Sequence, residues 1–121
     1  MTLEEAIAKI DDLRPNKYKH PQKIDWLSEL DGKIYNEIIS HYESDVEWEP
    51  YSEQTDSSIE LLVGEPYSNI YEYWLASKID WWNGEMSRYN NDMIQFNTLY
   101  QEFGNYWNKN HKHKGKQLFR L

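Results

Sequence analysis

Apolar residues recur at helical spacing through most of the chain. Leu3, Ile7, Ile10 and Leu13 fall three or four residues apart, which places them on one helix face. Thr2 and Glu5 have the spacing of a capping box, in which the hydroxyl takes an exposed amide and the carboxylate reaches back. Arg14 precedes Pro15, and a residue before proline avoids the helical region. A first helix is therefore expected over about 3–13. Residues 14–20 (RPNKYKH) form a connection, and Pro21 suits the first turn of a second helix, where its missing amide costs nothing. Ile24, Leu27, Leu30, Ile34, Ile38 and Tyr42 keep the period and predict that helix over about 21–42. Gly32 lies inside it and weakens it by about 1 kcal/mol relative to Ala.

The period then stops. From His41 to Pro66 there are eight acids and no Lys or Arg. Pro50 and the polar cluster at 55–58 mark a loop. Ile59 to Val63 (IELLV) is either a short strand or an extended segment pinned to the helices. After Gly64 and Pro66 comes the longest pattern. Leu75, Ile79, Trp82, Met86, Tyr89, Met93, Phe96, Tyr100, Phe103 and Trp107 alternate spacings of four and three, an unbroken heptad stripe of ten positions. One helix over 66–107 would be about 60 Å long at 1.5 Å per residue. Asn83-Gly84 and Asn90-Asn91 are weak helix formers, and each is a place to break it. The reading adopted is two helices, about 66–88 and 91–108, joined with little or no kink.

Composition adds partners to this outline. At 121 residues the chain supports one domain. Mean hydropathy is low at −0.96, but the chain holds ten Tyr and six Trp, which bury large surfaces while scoring as polar. Aromatic content of 16% argues against disorder. Tyr67, Tyr71, Tyr73, Trp74 and Trp81 surround the start of the stripe, so the helix is apolar on several faces and must be covered on several. The stripe is either internal packing or a surface for another chain.

Charge is unevenly placed. Residues 1–108 hold 21 acids against eight Lys and Arg, a balance of −13, while 109–121 hold five basic residues and no acid. An acidic body repels phosphate and disfavours general nucleic-acid binding. The basic tail ends in Leu118, Phe119 and Leu121, so it is either solvated or a peptide that orders on an acidic partner. The opening segment carries Glu4 and Glu5 without a basic start, unlike a signal peptide, and no apolar run is long enough for a membrane span. A soluble protein, made in the cytoplasm, is expected.

Candidate chemistry is sparse. There is no cysteine, which removes disulfides, thiolate metal sites and thiol nucleophiles. Glu4-Glu5 and Asp11-Asp12 are sequence neighbours that point to different sides of a helix, a poor arrangement for acid/base catalysis. The acidic loop lacks the alternating ligands and central glycine of a calcium loop. His20 and His41 stand outside any HExxH framework, and the lysines of the HKHK segment 111–114 repel cations. GxSxG, GxGxxG and GxxxxGK[ST] are absent. No enzyme activity, cofactor or metal is expected.

Three stretches carry a family resemblance: EAIAKIDDLRPN at 5–16, KIDWLSELDGKIYNEII at 23–39, and ELLVGEPYSNIYEYWLASKIDWWNGE at 60–85, the last followed by MSRYNNDMIQFNTLYQEFGNYWNKNH. In these the chain resembles the small head–tail connector (adaptor, or head-completion) proteins of long-tailed bacteriophages and prophages of Gram-positive bacteria. The resemblance implies a small helical domain that docks on the portal protein and, with copies of itself, forms a ring that extends the DNA channel. It also implies a downstream head-completion or tail-joining protein as partner, a place in the virion, and no catalytic residues.

The combined expectation is an all-α bundle of about four helices over 1–108, with a long aromatic C-terminal helix or helix pair and a flexible basic tail at 109–121. Trp48, Tyr51, Tyr67, Tyr71, Trp74, Trp81, Lys112, Lys114 and Phe119 are the candidate interface residues. DNA is expected to pass through an assembled channel without being read in sequence. The competing reading is a small acidic regulatory binder, an antitoxin or a DNA-mimicking inhibitor.

Overall fold

A computed structural model describes residues 1–115. It is all-helical: α1 is Leu3–Leu13, α2 His20–Glu37, α3 Ile70–Trp82 and α4 Met86–Asn110, with a 3-10 turn at Ile39–His41 after α2. Among the described residues the only β pairing is two isolated bridges.

The first helix follows its sequence signals. The Thr2 hydroxyl accepts from the Glu5 amide at 3.1 Å, and the Glu5 carboxylate accepts from the Thr2 amide at 2.8 Å. Two further free donors at this helix end are met from outside: Leu3 and Glu4 amides donate to the carbonyls of Ile59 and Ser57, both at 3.0 Å. The Leu61 amide in turn donates to the Met1 carbonyl, so the Ile59–Val63 run is pinned at Ile59 and Leu61 to the start of α1, the second of its two expected forms. Leu3, Ala6, Ile7 and Ile10 are buried, and each large aliphatic contributes about 1.5–3 kcal/mol by leaving water.

The second helix begins with Pro21 in its first turn but stops at Glu37, five residues before the expected end. Ile38 and Ile39 are neighbours in sequence and both buried, on two sides of the chain. The backbone leaves helical angles at Ile38 and tightens into the 3-10 turn, so that Tyr42 is extended rather than helical.

The long stripe folds back on itself. Gly84 has φ +76°, its amide donates to the Trp81 carbonyl at 3.1 Å, and the Glu85 amide donates to the Asp80 carbonyl at 2.8 Å. That pair of bonds is a Schellman closure, which needs a left-handed residue and so favours glycine. The break is therefore at Asn83-Gly84, and α4 runs unbroken through Asn90-Asn91, correcting the expected division at 88–91. The start also moves, from 66 to Ile70, because residues 64–69 form turns first.

α3 and α4 are then antiparallel partners. Tyr67 lies against Phe103 and Tyr106, Trp74 against Phe96, and Trp81 against Tyr89, with ring centroids 5.0–6.1 Å apart. α1 and α2 pack on α3, and the core is shared by all four helices, Tyr51, Leu61 and Val63.

Candidate protein-interaction surface

The ten stripe positions divide by exposure. Leu75 and Ile79 on α3, and Phe96, Phe103 and Trp107 on α4, are buried. Trp82 is 63% exposed and Met86 44%, because they flank the turn where the two stripes stop facing each other. Trp81 beside them is 52% exposed. Leu13, at the end of α1, is also exposed at this end of the molecule. Lys78, Trp81, Trp82, Tyr89 and Met93 wall a groove of about 280 Å³ here, and the Lys78 ammonium sits 4.4 Å over the Trp74 ring.

This tip is braced by an ionic cluster. The Arg14 guanidinium pairs closely with Asp80 and reaches Asp92 at 3.7 Å, tying the end of α1 to both α3 and α4. Asp80 and Asp92 are buried. Burial pushes the Asp92 carboxyl up to about 7, reinforced by the neighbouring Asp80 carboxylate, against the pull of Arg14. The Tyr18 hydroxyl donates to the Asn83 side chain at 2.7 Å and fixes the 14–20 connection against the turn.

Three of the nine candidate interface residues belong to the core and are corrected here. Tyr71 and Tyr51 are buried because both phenols donate to the carboxylate of Asp31, each at 2.6 Å. The Leu62 amide is a third donor to Asp31, at 3.1 Å, and the Val63 amide donates to the Tyr71 hydroxyl at 2.8 Å. Burial raises the Asp31 pKa, and the three donors work against it. Trp74 is buried between α2 and α4, its indole donating to the Trp26 carbonyl at 2.7 Å.

The others keep surface. Trp48 is half-buried, stacked on Tyr35 with centroids 6.4 Å apart and lying directly over Gly32. Tyr67 is half-buried against α4, and Trp81 is exposed as described. Lys112 and Lys114 present exposed side chains, while Phe119 lies outside the described residues. Their backbone is not free, however. The Glu43 amide donates to the Lys112 carbonyl at 2.8 Å and the Lys114 amide to the His41 carbonyl at 3.0 Å, around the Tyr42–His113 bridge. α4 also continues to Asn110, and His111 stacks on Trp107 at 3.6 Å. The flexible tail expected from 109 is thus corrected as far as Gly115: backbone pairing holds it.

A second face is the acidic segment. Glu43, Asp45, Glu47, Glu49, Glu53, Asp56, Glu60 and Glu65 are all exposed. Among the described residues the only cation paired with any of them is the Met1 ammonium, 3.0 Å from Glu60.

The sequence reading missed Asp31, Arg14, Asp80, Asp92, Trp82 and Met86 as separate features. For Asp31 and Asp92 the signal was an acid inside an apolar register: Asp31 sits among Leu27, Leu30 and Ile34, and Asp92 three residues after Tyr89 and four before Phe96. Among the described residues no three His, Asp or Glu side chains converge as a metal site requires, and no helix is long and apolar enough to cross a membrane. No protein-family model matches the chain, and neither does any curated protein or solved structure.

Proposed function

We propose that this chain is a structural, non-catalytic, protein-binding component: a phage or prophage head–tail connector that docks on the portal protein and on copies of itself. The observation that carries the reading is the exposed Trp81, Trp82 and Met86 at the tip of the α3–α4 hairpin. Trp is the residue type that most often dominates binding energy once desolvated, and Met is enriched at interfaces. A rigid tip is also a good anchor, because little ordering entropy is lost when it docks. The Schellman turn and the Arg14–Asp80–Asp92 cluster supply that rigidity. The stretches that resemble the connector family supply the identity of the partner. The connector belongs at the head–tail interface of the virion, next to a downstream head-completion or tail-joining protein. DNA passes the assembled ring without base recognition, which suits an acidic body.

The test is capture of the portal protein from the same genome by the tagged chain, with electron microscopy of particles made with and without it. Portal capture and a ring of extra density below the portal are expected. An absence of both would overturn the reading. The eight exposed acids of 43–65 favour one other reading, a regulatory binder that mimics nucleic-acid charge. It requires a one-to-one complex with a host enzyme or toxin, and absence from virions.

A further inference from the structure

α4 is buried along one side, where Asp92, Phe96, Phe103 and Trp107 turn inward and α3 packs on it. On the opposite side Ser87, Asn91, Ile94, Thr98, Gln101 and Asn105 alternate spacings of four and three, so they stand in one ridge along the helix. All six are exposed, Ile94 to 60%. None is charged, although 28% of the chain is. A face turned only to water normally carries Lys, Arg, Asp and Glu. Depletion of charge is instead the mark of the centre of a protein interface.

We propose that this ridge is a contact between two copies of the chain, paired antiparallel along α4 about a two-fold axis. The ridge runs from 87 to 105, with its midpoint at 96. Turned end for end against itself, it sets Ser87 against Asn105, Asn91 against Gln101 and Ile94 against Thr98, each twice over. The layers join hydroxyls and amides that can bond to one another, and the two Ile94 side chains fall in adjacent layers on either side of the axis.

Charge selects the same occupant and the same direction. Arg88 and Glu102 each follow a ridge residue at the same point of the period, so both lie on one flank and both are exposed. A two-fold axis keeps that flank of each copy on the same side. Arg88 lies eight residues before the midpoint and Glu102 six after it. In the antiparallel pair each Arg88 is therefore within about 3 Å, along the helix, of the other copy's Glu102, and both ion pairs form at once. A parallel pair would set Arg88 level with Arg88 and Glu102 level with Glu102. A two-fold contact joins two copies and stops, so it is separate from any ring contact and does not rest on the connector reading.

Sedimentation equilibrium of the full chain at physiological salt, from about 10 µM to about 1 mM, reads the pairing, with melts to check each variant. A monomer–dimer equilibrium inside that range is expected, since one apolar side chain per copy places the contact among weak interfaces. Ile94→Asp should weaken it about tenfold and Arg88→Glu about fivefold, while Arg88→Glu/Glu102→Arg should return it to within about twofold of the parent. Trp81→Ala/Trp82→Ala should pair as the parent does. The chain has no cysteine, so a spin label on Asn90→Cys reports direction in a mixture with isotope-labelled parent. It should broaden the parent's Gly104 and Asn105 amides more than its Asn91 amide. A chain that stays monomeric to about 1 mM would overturn the proposal. So would a dimer that survives Ile94→Asp, a charge exchange that restores nothing, a dimer lost with the tip tryptophans, or a label that broadens Asn91 most.

Discussion

A carboxylate taken out of water is costly unless its oxygens are hydrogen-bonded, and Asp31 is held by two phenols and one amide. Tyr71→Phe removes one donor and leaves the Val63 amide without its acceptor. The expected loss is about 1–3 kcal/mol, read as a lower urea midpoint with an unchanged slope. None of this network was legible in the sequence, because Asp31 and Tyr71 are 40 residues apart and meet only when the fold is complete. Local patterning marked Tyr51, Tyr71 and Trp74 as surplus aromatics, whereas the buried carboxylate and the Trp26 carbonyl give them polar partners inside. Asp92 makes a different prediction. Its pKa of about 7 in the folded state lies above its ordinary value of 3.8. The folded protein therefore holds a proton that the unfolded chain releases between those values. The stability this gives is complete below about pH 4 and is lost as pH rises through about 7. The urea midpoint should be higher at pH 5 than at pH 8, and Asp92→Asn should narrow that gap. A gap of equal size in the variant would remove Asp92 as its cause.

Element boundaries were legible where capping chemistry sets them and illegible where long-range contacts do. The Thr2–Glu5 box and Arg14–Pro15 fixed both ends of α1. Five of the ten heptad positions are buried, and the stripe that reads as continuous in sequence is folded into a hairpin. A period of three and four reads the same for one long helix and for two facing helices, and only the Gly84 turn distinguishes them. Gly84→Ala should cost about 1–2 kcal/mol, since nothing crowds the position and the left-handed backbone alone opposes a side chain. Asn90→Ala and Asn91→Ala, inside α4, should instead be neutral or stabilising by a few tenths of a kcal/mol. Thermal melts of the three variants check both expectations, and a damaging Asn91→Ala would argue for a break there. Gly32 poses a packing problem instead, because a Cβ there would lie 2.8 Å from the Trp48 ring. Gly32→Ala should displace Trp48, cost about 1–3 kcal/mol and shift the tryptophan emission. The 111–115 docking had no side-chain pattern to betray it, since backbone atoms make the bond to 41–43.

At the scale of the whole molecule, the aromatic excess resolves into three uses. Some rings fill the core, some hold the loop and C-terminal segment to the helices, and Trp81 and Trp82 are left at one end with Met86. That end and the acidic segment are separate surfaces, two being the least that the proposed connector role requires. The acids were plain from composition, but their shared exposure and lack of basic partners required the fold. In the proposed role the hairpin tip is the portal-facing anchor. The direct measurement is the affinity of the portal protein for the intact chain and for Trp81→Ala/Trp82→Ala, with melting temperature followed in parallel. The account predicts a loss of at least about 30-fold, about 2 kcal/mol, with the melting temperature little changed. A double variant that binds the portal as tightly as the parent would contradict it.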